Sequence, residues 1–134
     1  MALHEIDWCS LEIPEEWEFS QDEDDVIVIE DEDGVSCIEI FPPVILEEGE
    51  VSEADVAEFT EELRESGLRG ARVRVGGWQG ELYEHEDGEH HWREWFLRQG
   101  KCFVQIACHC AAEHAGMDDA AVDEILATLE PHAD

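Results

Sequence analysis

Residues 80–109 read GELYEHEDGEHHWREWFLRQGKCFVQIACH, and this stretch decides the fold. Three segments, Gly80 to Glu86, Glu89 to Arg98 and Lys101 to His109, carry the aromatic and β-branched alternation of strands. Asp87-Gly88 and Gln99-Gly100 join them, and both dipeptides suit two-residue hairpin turns. An antiparallel meander follows. With both turns taken at two residues, His85 faces His90 and His90 faces His109.

Working outward, Arg72-Val73-Arg74-Val75 predicts a further strand, and Gly76-Gly77 a turn that leaves Trp78 in a loop. Earlier strands are expected over Trp8 to Ile13, Glu15 to Phe19, Val26 to Ile29 and Val35 to Phe41. The acidic tetrad 30–33 with Gly34 turns the last two, and Pro42-Pro43 closes them. Ser52 is a good N-cap with Asp55 three residues on, and Val56, Phe59 and Leu63 form one helical stripe. Asp118 to Leu129 predicts a second helix, with Val122, Ile125, Leu126 and Leu129 on one face. The order strands, helix, strands, helix is that of an α+β domain built on an antiparallel sheet. At 134 residues the chain makes one domain, 1–134, with a core large enough to need no disulfides.

Several runs carry a family likeness: SLEIPEEWEF at 10–19, the acidic hairpin, the Ser52 helix, VRVGGWQGELYE at 73–84 and WREWFLRQGKCFVQIACHCAAE at 92–113. Together with the closing helix they resemble the PsbP-like α/β/α sandwich superfamily, in its small bacterial branch. The resemblance covers nearly the whole chain and lies in pattern and order. It implies an antiparallel sheet of about six to seven strands flanked by two main helices. It also implies a binding module rather than an enzyme, since the superfamily includes photosystem assembly subunits, a nuclear-transport GTPase release factor and chaperones for secreted effectors. No catalytic residue is carried over by it.

Charge is the other strong signal. The chain has 37 acidic side chains against seven basic ones, and no lysine or arginine occurs before Arg64. A net charge of −30 disfavours nucleic acid and anionic membranes, because nothing on the chain could neutralise a run of phosphates. It suits a basic protein partner steered in electrostatically. The acidic turns, with Asp22, Asp24, Asp31 and Asp33, and the aromatic residues Trp78 and Trp92 are the expected partner-binding residues. Trp78 is expected as an exposed anchor, and Trp92 shares its sheet face with Tyr83, His90, Glu94, Phe96 and Phe103. An immunity or chaperone-type partner of a basic bacterial effector fits these features. Adaptation of a highly acidic protein to a salty cytoplasm is an alternative source of the charge.

Metal binding is a further alternative. In the register above, His85, His90 and His109 form a row across three strands, a potential zinc site with an open position. Cys108 and Cys110 share the opposite face with Trp95, Leu97, Val104 and Ile106, and read as small buried hydrophobes. No nucleophile elbow, phosphate loop or paired zinc knuckle occurs, so a non-enzyme is expected. The arginines are expected to be neutralised from within, by the acid-rich first half. MALHEIDWCS lacks a basic start and an apolar run, so no export signal is expected and the five cysteines read as reduced and cytoplasmic.

Overall fold

The pairing of β9 (His90–Gln99) with β10 (Cys102–Ala111) is the spine of the structure, a computed structural model describing residues 2–6 and 8–132. On one side of it lie β8 (Trp78–Glu86) and the edge strand β7 (Ala71–Val75). On the other lie β5 (Ser36–Ile40), β4 (Ile27–Asp31) and β3 (Trp17–Gln21), while the short β6 (Val44–Ile45) also pairs with β10. Every pairing is antiparallel. Among the described residues the main sheet thus has eight strands, more than the six to seven expected. A second sheet orders β1 (Ala2–Glu5), β2 (Cys9–Ile13) and β11 (Glu130–Pro131). The additional pieces β1, β6 and β11 are two to four residues long, too short for alternation to announce them.

Alternation divides the main sheet into two faces. Ile27, Ile29, Ile38, Ile40, Trp95, Leu97, Val104, Ile106 and Cys108 point one way and are buried. The helix α3 (Asp119–Ala127) covers them with Val122, Ile125 and Leu126, and β2 adds Cys9, Leu11 and Ile13. The opposite face carries Tyr83, Phe96 and Phe103, covered by Val51 and Val56 with Leu46, Leu63 and Leu68 packed alongside. Helices α1 (Glu53–Phe59) and α2 (Glu61–Glu65) supply much of that cover.

The expected capping box forms at Ser52: its hydroxyl accepts from the Asp55 amide at 3.1 Å, and Asp55 Oδ2 accepts from the Ser52 amide at 2.9 Å. The single expected helix is two, divided at Thr60. This buried hydroxyl donates to the carbonyls of Val56 at 3.0 Å and Ala57 at 3.3 Å, a local bond that competes with the helical ladder. Phe59 stays half exposed, yet stacks on Phe103 with ring centroids 4.2 Å apart.

Two turns differ from expectation, and each moves the register by two residues. Gln99 pairs with Cys102, so the tight turn is Gly100-Lys101, with Gly100 at φ +56°. Glu86 pairs with His91, which leaves a four-residue loop over 87–90, closed by the Asp87 amide donating to the His90 carbonyl at 3.1 Å. A shift of two keeps every side chain on its expected face and changes every cross-strand neighbour.

Candidate functional site: an acidic aromatic row on the open sheet face

Helices α1 and α2 lie over the Tyr83, Phe96 and Phe103 end of their face, and the other end carries a continuous cross-strand row. The pairings Glu18↔Glu30, Glu30↔Cys37, Cys37↔His109, His109↔Trp92 and Trp92↔His85 run through six strands. One step along, Glu39 and Glu94 stand on the same face. The side chains of His85, Glu94, His109 and Glu39 keep between 20% and 30% of their exposure, so the row is recessed but reachable. No lysine or arginine belongs to it.

Trp92 is its centre. Its indole N–H donates to Asp87 Oδ2 at 3.0 Å, and the same carboxylate accepts from the His90 amide at 2.8 Å and the Glu89 amide at 3.3 Å. These bonds, the His90 amide first and the indole second, hold the Asp87 carboxyl below its ordinary range. The loop aspartate therefore fixes both the hairpin and the ring. His109 lies against one side of Trp92 at 4.6 Å between centroids, and His85 stacks on the other at 6.2 Å. His85 Nε2 is 3.2 Å from Glu94 Oε2, a hydrogen bond in which the ring nitrogen donates. An aromatic platform flanked by carboxylates is suited to a cationic side chain.

The expected histidine row does not assemble. Because the 87–90 loop is longer than two residues, Trp92 occupies the position between His85 and His109, and His90 pairs with Ala111. His90 still meets His109 edge-on at 6.1 Å, but His85 is beyond Trp92 and bonded to Glu94. His109 instead faces Cys37, with Glu39 beside it: its Nε2 is 3.4 Å from Glu39 Oε1. Sequence reasoning missed this trio, since it needs the distant pairing of β5 with β10.

Trp78 is not an exposed anchor. Gly76 and Gly77 make the turn, as expected, but Val75 pairs with Trp78, so the indole is already the first side chain of β8 on the buried face. Gly76 takes φ +58°, and a Cβ there would collide with the Ala127 carbonyl oxygen, so the hairpin is pressed against the end of α3. Trp78 is fully buried and donates from Nε1 to the Leu129 carbonyl at 2.8 Å.

The four expected aspartates fall into two separate turns. Asp31 and Asp33 lie in the β4–β5 turn at the Trp92 end of the sheet, where Ser36 pairs with Cys110 and Cys110 with His91. Asp22 and Asp24 lie in the β3–β4 turn at the other end of β4. Asp22 and Asp31 are committed locally: Asp22 Oδ1 accepts from the Asp24 and Val26 amides, and Asp31 Oδ1 from the Ser36 amide. Asp24 and Asp33 are exposed.

Three of the six arginines find carboxylates, though not in the acid-rich first turns, which belong to the far strands. Arg72 pairs with Glu53 at 2.8 Å and Arg64 with Glu81 at 3.8 Å. Arg93 is buried among Glu84, Asp119 and Asp123 at 3.5, 3.4 and 3.0 Å. Arg72, Arg74 and Arg98 line a cleft of about 810 Å³ between α1 and the β7 edge, together with Glu53 and Glu81. Among the described residues Arg69, Arg74 and Arg98 have no carboxylate partner, and Arg98 donates instead to the Val51 carbonyl at 3.5 Å.

All five cysteines are free thiols, and burial dominates their chemistry. It pushes Cys9 and Cys108 up to about 12 and Cys102 to about 11, and Arg93 offsets only part of the effect at Cys108. Cys37 rises to about 11, chiefly through burial and then through Glu30 and Glu39, so its contact with His109 is not an activated thiolate. A pH dependence follows. A thiol held above its ordinary value of 9.0 contributes stability that is complete below pH 9.0 and lost as pH rises through the folded value. Melting temperature should hold from pH 7 to about 8.5 and then fall toward about 11, and Cys108→Ala should flatten that fall. A slope unchanged by this substitution would remove Cys108 from the account.

No protein-family model matches this chain, and no curated protein matches it. Solved structures do. A protein of Bacteroides thetaiotaomicron VPI-5482 superposes with a TM-score of 0.71 at 19% identity, over 95% of this chain and 46% of that one. This chain thus spans about half the length of the Bacteroides protein. LpqN of Mycobacterium tuberculosis, involved in cell envelope biogenesis, superposes with a TM-score of 0.65 at 14% identity, over 93% of this chain and 83% of that one. At these identities the likeness is one of fold. No helix among the described residues is long and apolar enough to cross a membrane.

Proposed function

We propose that this chain is a non-catalytic, PsbP-like protein-binding module whose open sheet face receives a basic segment of a protein partner, in an immunity or chaperone role toward a basic effector. What supports this is the row through Trp92. Glu18 and Glu30 are directly opposed, and Glu39 and Glu94 add two more carboxylates beside a row to which no lysine or arginine belongs. Like charges placed opposite one another on a sheet destabilise it. A basic segment laid along the row relieves that repulsion, and a lysine or arginine that reaches the Trp92 ring gains about 0.5–2 kcal/mol from it. The rest of the −30 charge steers such a partner in and repels polyanions.

The test is a titration with a lysine- and arginine-rich peptide from low to molar sodium chloride. Affinity should fall steeply with salt, and Trp92→Ala should weaken binding by about 30-fold, the size of a central anchor. Binding that ignores either change rejects the proposal. Melting curves over the same salt range separate the rival source of the charge, because a fold that needs molar salt would make the acidity an adaptation.

A further inference from the structure

We infer that Cys37, Glu39 and His109 form a zinc-binding site on the open sheet face. Cys37 and His109 are directly opposed on β5 and β10, and Glu39 follows two residues along β5 on the same face. Both strands lie in the interior of the main sheet, with neighbours on each side, so the backbone that carries the three residues is firmly held. One ligand atom from each lies within 4.8 Å of the others. Tetrahedral zinc bonds of about 2.0–2.3 Å place ligand atoms roughly 3.3–3.8 Å apart. Glu39 Oε1 and His109 Nε2 already meet that spacing at 3.4 Å. Rotation of the half-buried Cys37 side chain closes the remainder.

The donor set selects the metal. One sulfur, one imidazole nitrogen and one carboxylate oxygen suit zinc, whereas calcium and magnesium take oxygen alone. The charges also match, since a thiolate and a carboxylate together neutralise a divalent ion. Glu30, opposite Cys37, adds a further negative charge, and no lysine or arginine stands in the cross-strand row beside the three residues. Binding replaces the Cys37 thiol proton with the metal and releases it to solvent, while His109 binds as the neutral ring. Trp92, against His109 at 4.6 Å, holds the imidazole in place. Three protein ligands leave one position open to water. The inference does not depend on the protein-partner proposal.

Cobalt(II) is the probe, since it reports sulfur ligation directly. Titration of the reduced, chelator-treated protein should give one equivalent bound and a near-ultraviolet thiolate-to-cobalt band that zinc then erases. Cys37→Ser should abolish the band. Cys110→Ser, on the opposite face, should leave it intact. Glu39→Gln and His109→Gln should each weaken binding by more than about tenfold with an unchanged fold by circular dichroism. Absence of the band, its survival in Cys37→Ser, or its loss in Cys110→Ser overturns the site. So does full binding in folded Glu39→Gln and His109→Gln variants.

Discussion

Trp78→Ala is expected to lower unfolding free energy by about 4 kcal/mol and the melting temperature by about 15 °C. The indole is fully buried in the core between the main sheet and α3, and its removal leaves a cavity that the β7–β8 hairpin cannot close. It also strands the Leu129 carbonyl, which accepts the indole N–H at 2.8 Å near the C-terminal end of α3. A buried acceptor left without its donor costs about 1–3 kcal/mol by itself. Trp78→Phe keeps most of the volume and loses the hydrogen bond, so its cost should be about 1–2 kcal/mol. Domains of this kind are stable by on the order of 5–15 kcal/mol, so the alanine variant sits near the limit of folding. Urea denaturation of both variants checks the order. An alanine variant within 1 kcal/mol of the parent would place Trp78 on the surface after all.

Arg93→Ala is expected to cost about 2–3 kcal/mol, more at low salt than at high. Its side chain is 10% exposed and joins β9 to α3 through Asp119 and Asp123, and to β8 through Glu84. Only the Nη2 contact to Asp123 has hydrogen-bond geometry. The contacts to Glu84 and Asp119 are ion pairs, which leaves Nε and Nη1 without a formal partner. The guanidinium also lies 4.6 Å from the Trp95 ring centroid. Its loss leaves three carboxylates facing one another in a chain of net charge −30. Those carboxylates are about half exposed and rehydrate, which keeps the cost below that of a fully buried pair. Arg72 makes the contrast: its pair with Glu53 is mostly in solvent, so Arg72→Ala should change stability by less than about 0.5 kcal/mol. Equal losses at the two positions would contradict this account.

Much of the architecture is legible in the residues themselves. Period-two alternation places the strands, Ser52 and Asp55 announce a helix start, and the stripe Val122, Ile125, Leu126 and Leu129 is buried as written. Alternation also assigns faces correctly, which is why Trp92, His85 and His109 share one surface. Neighbours were another matter. They depend on turn lengths, and Asp87 builds a four-residue loop with its side chain where a two-residue turn was expected. Trp78 carried its own signal in the alternation Trp78, Gly80, Leu82 on one face, but the two glycines before it drew it into the loop. Cys37 and Glu39 could not be joined to His109 without the β5–β10 pairing, which crosses some 70 residues of chain.

Recognition of a basic segment at the single patch around Trp92 is open to a residue-resolved map. Backbone amide and tryptophan indole signals should be followed by NMR during titration with a lysine- and arginine-rich peptide at moderate salt. The largest shifts are expected at Trp92, His85, Glu94, His109 and Glu39, with the Trp78 indole unmoved. Shifts confined to the Asp22–Asp25 and Asp31–Asp33 turns, or spread evenly over all acidic surfaces, would show that the charge attracts partners without a site to hold them.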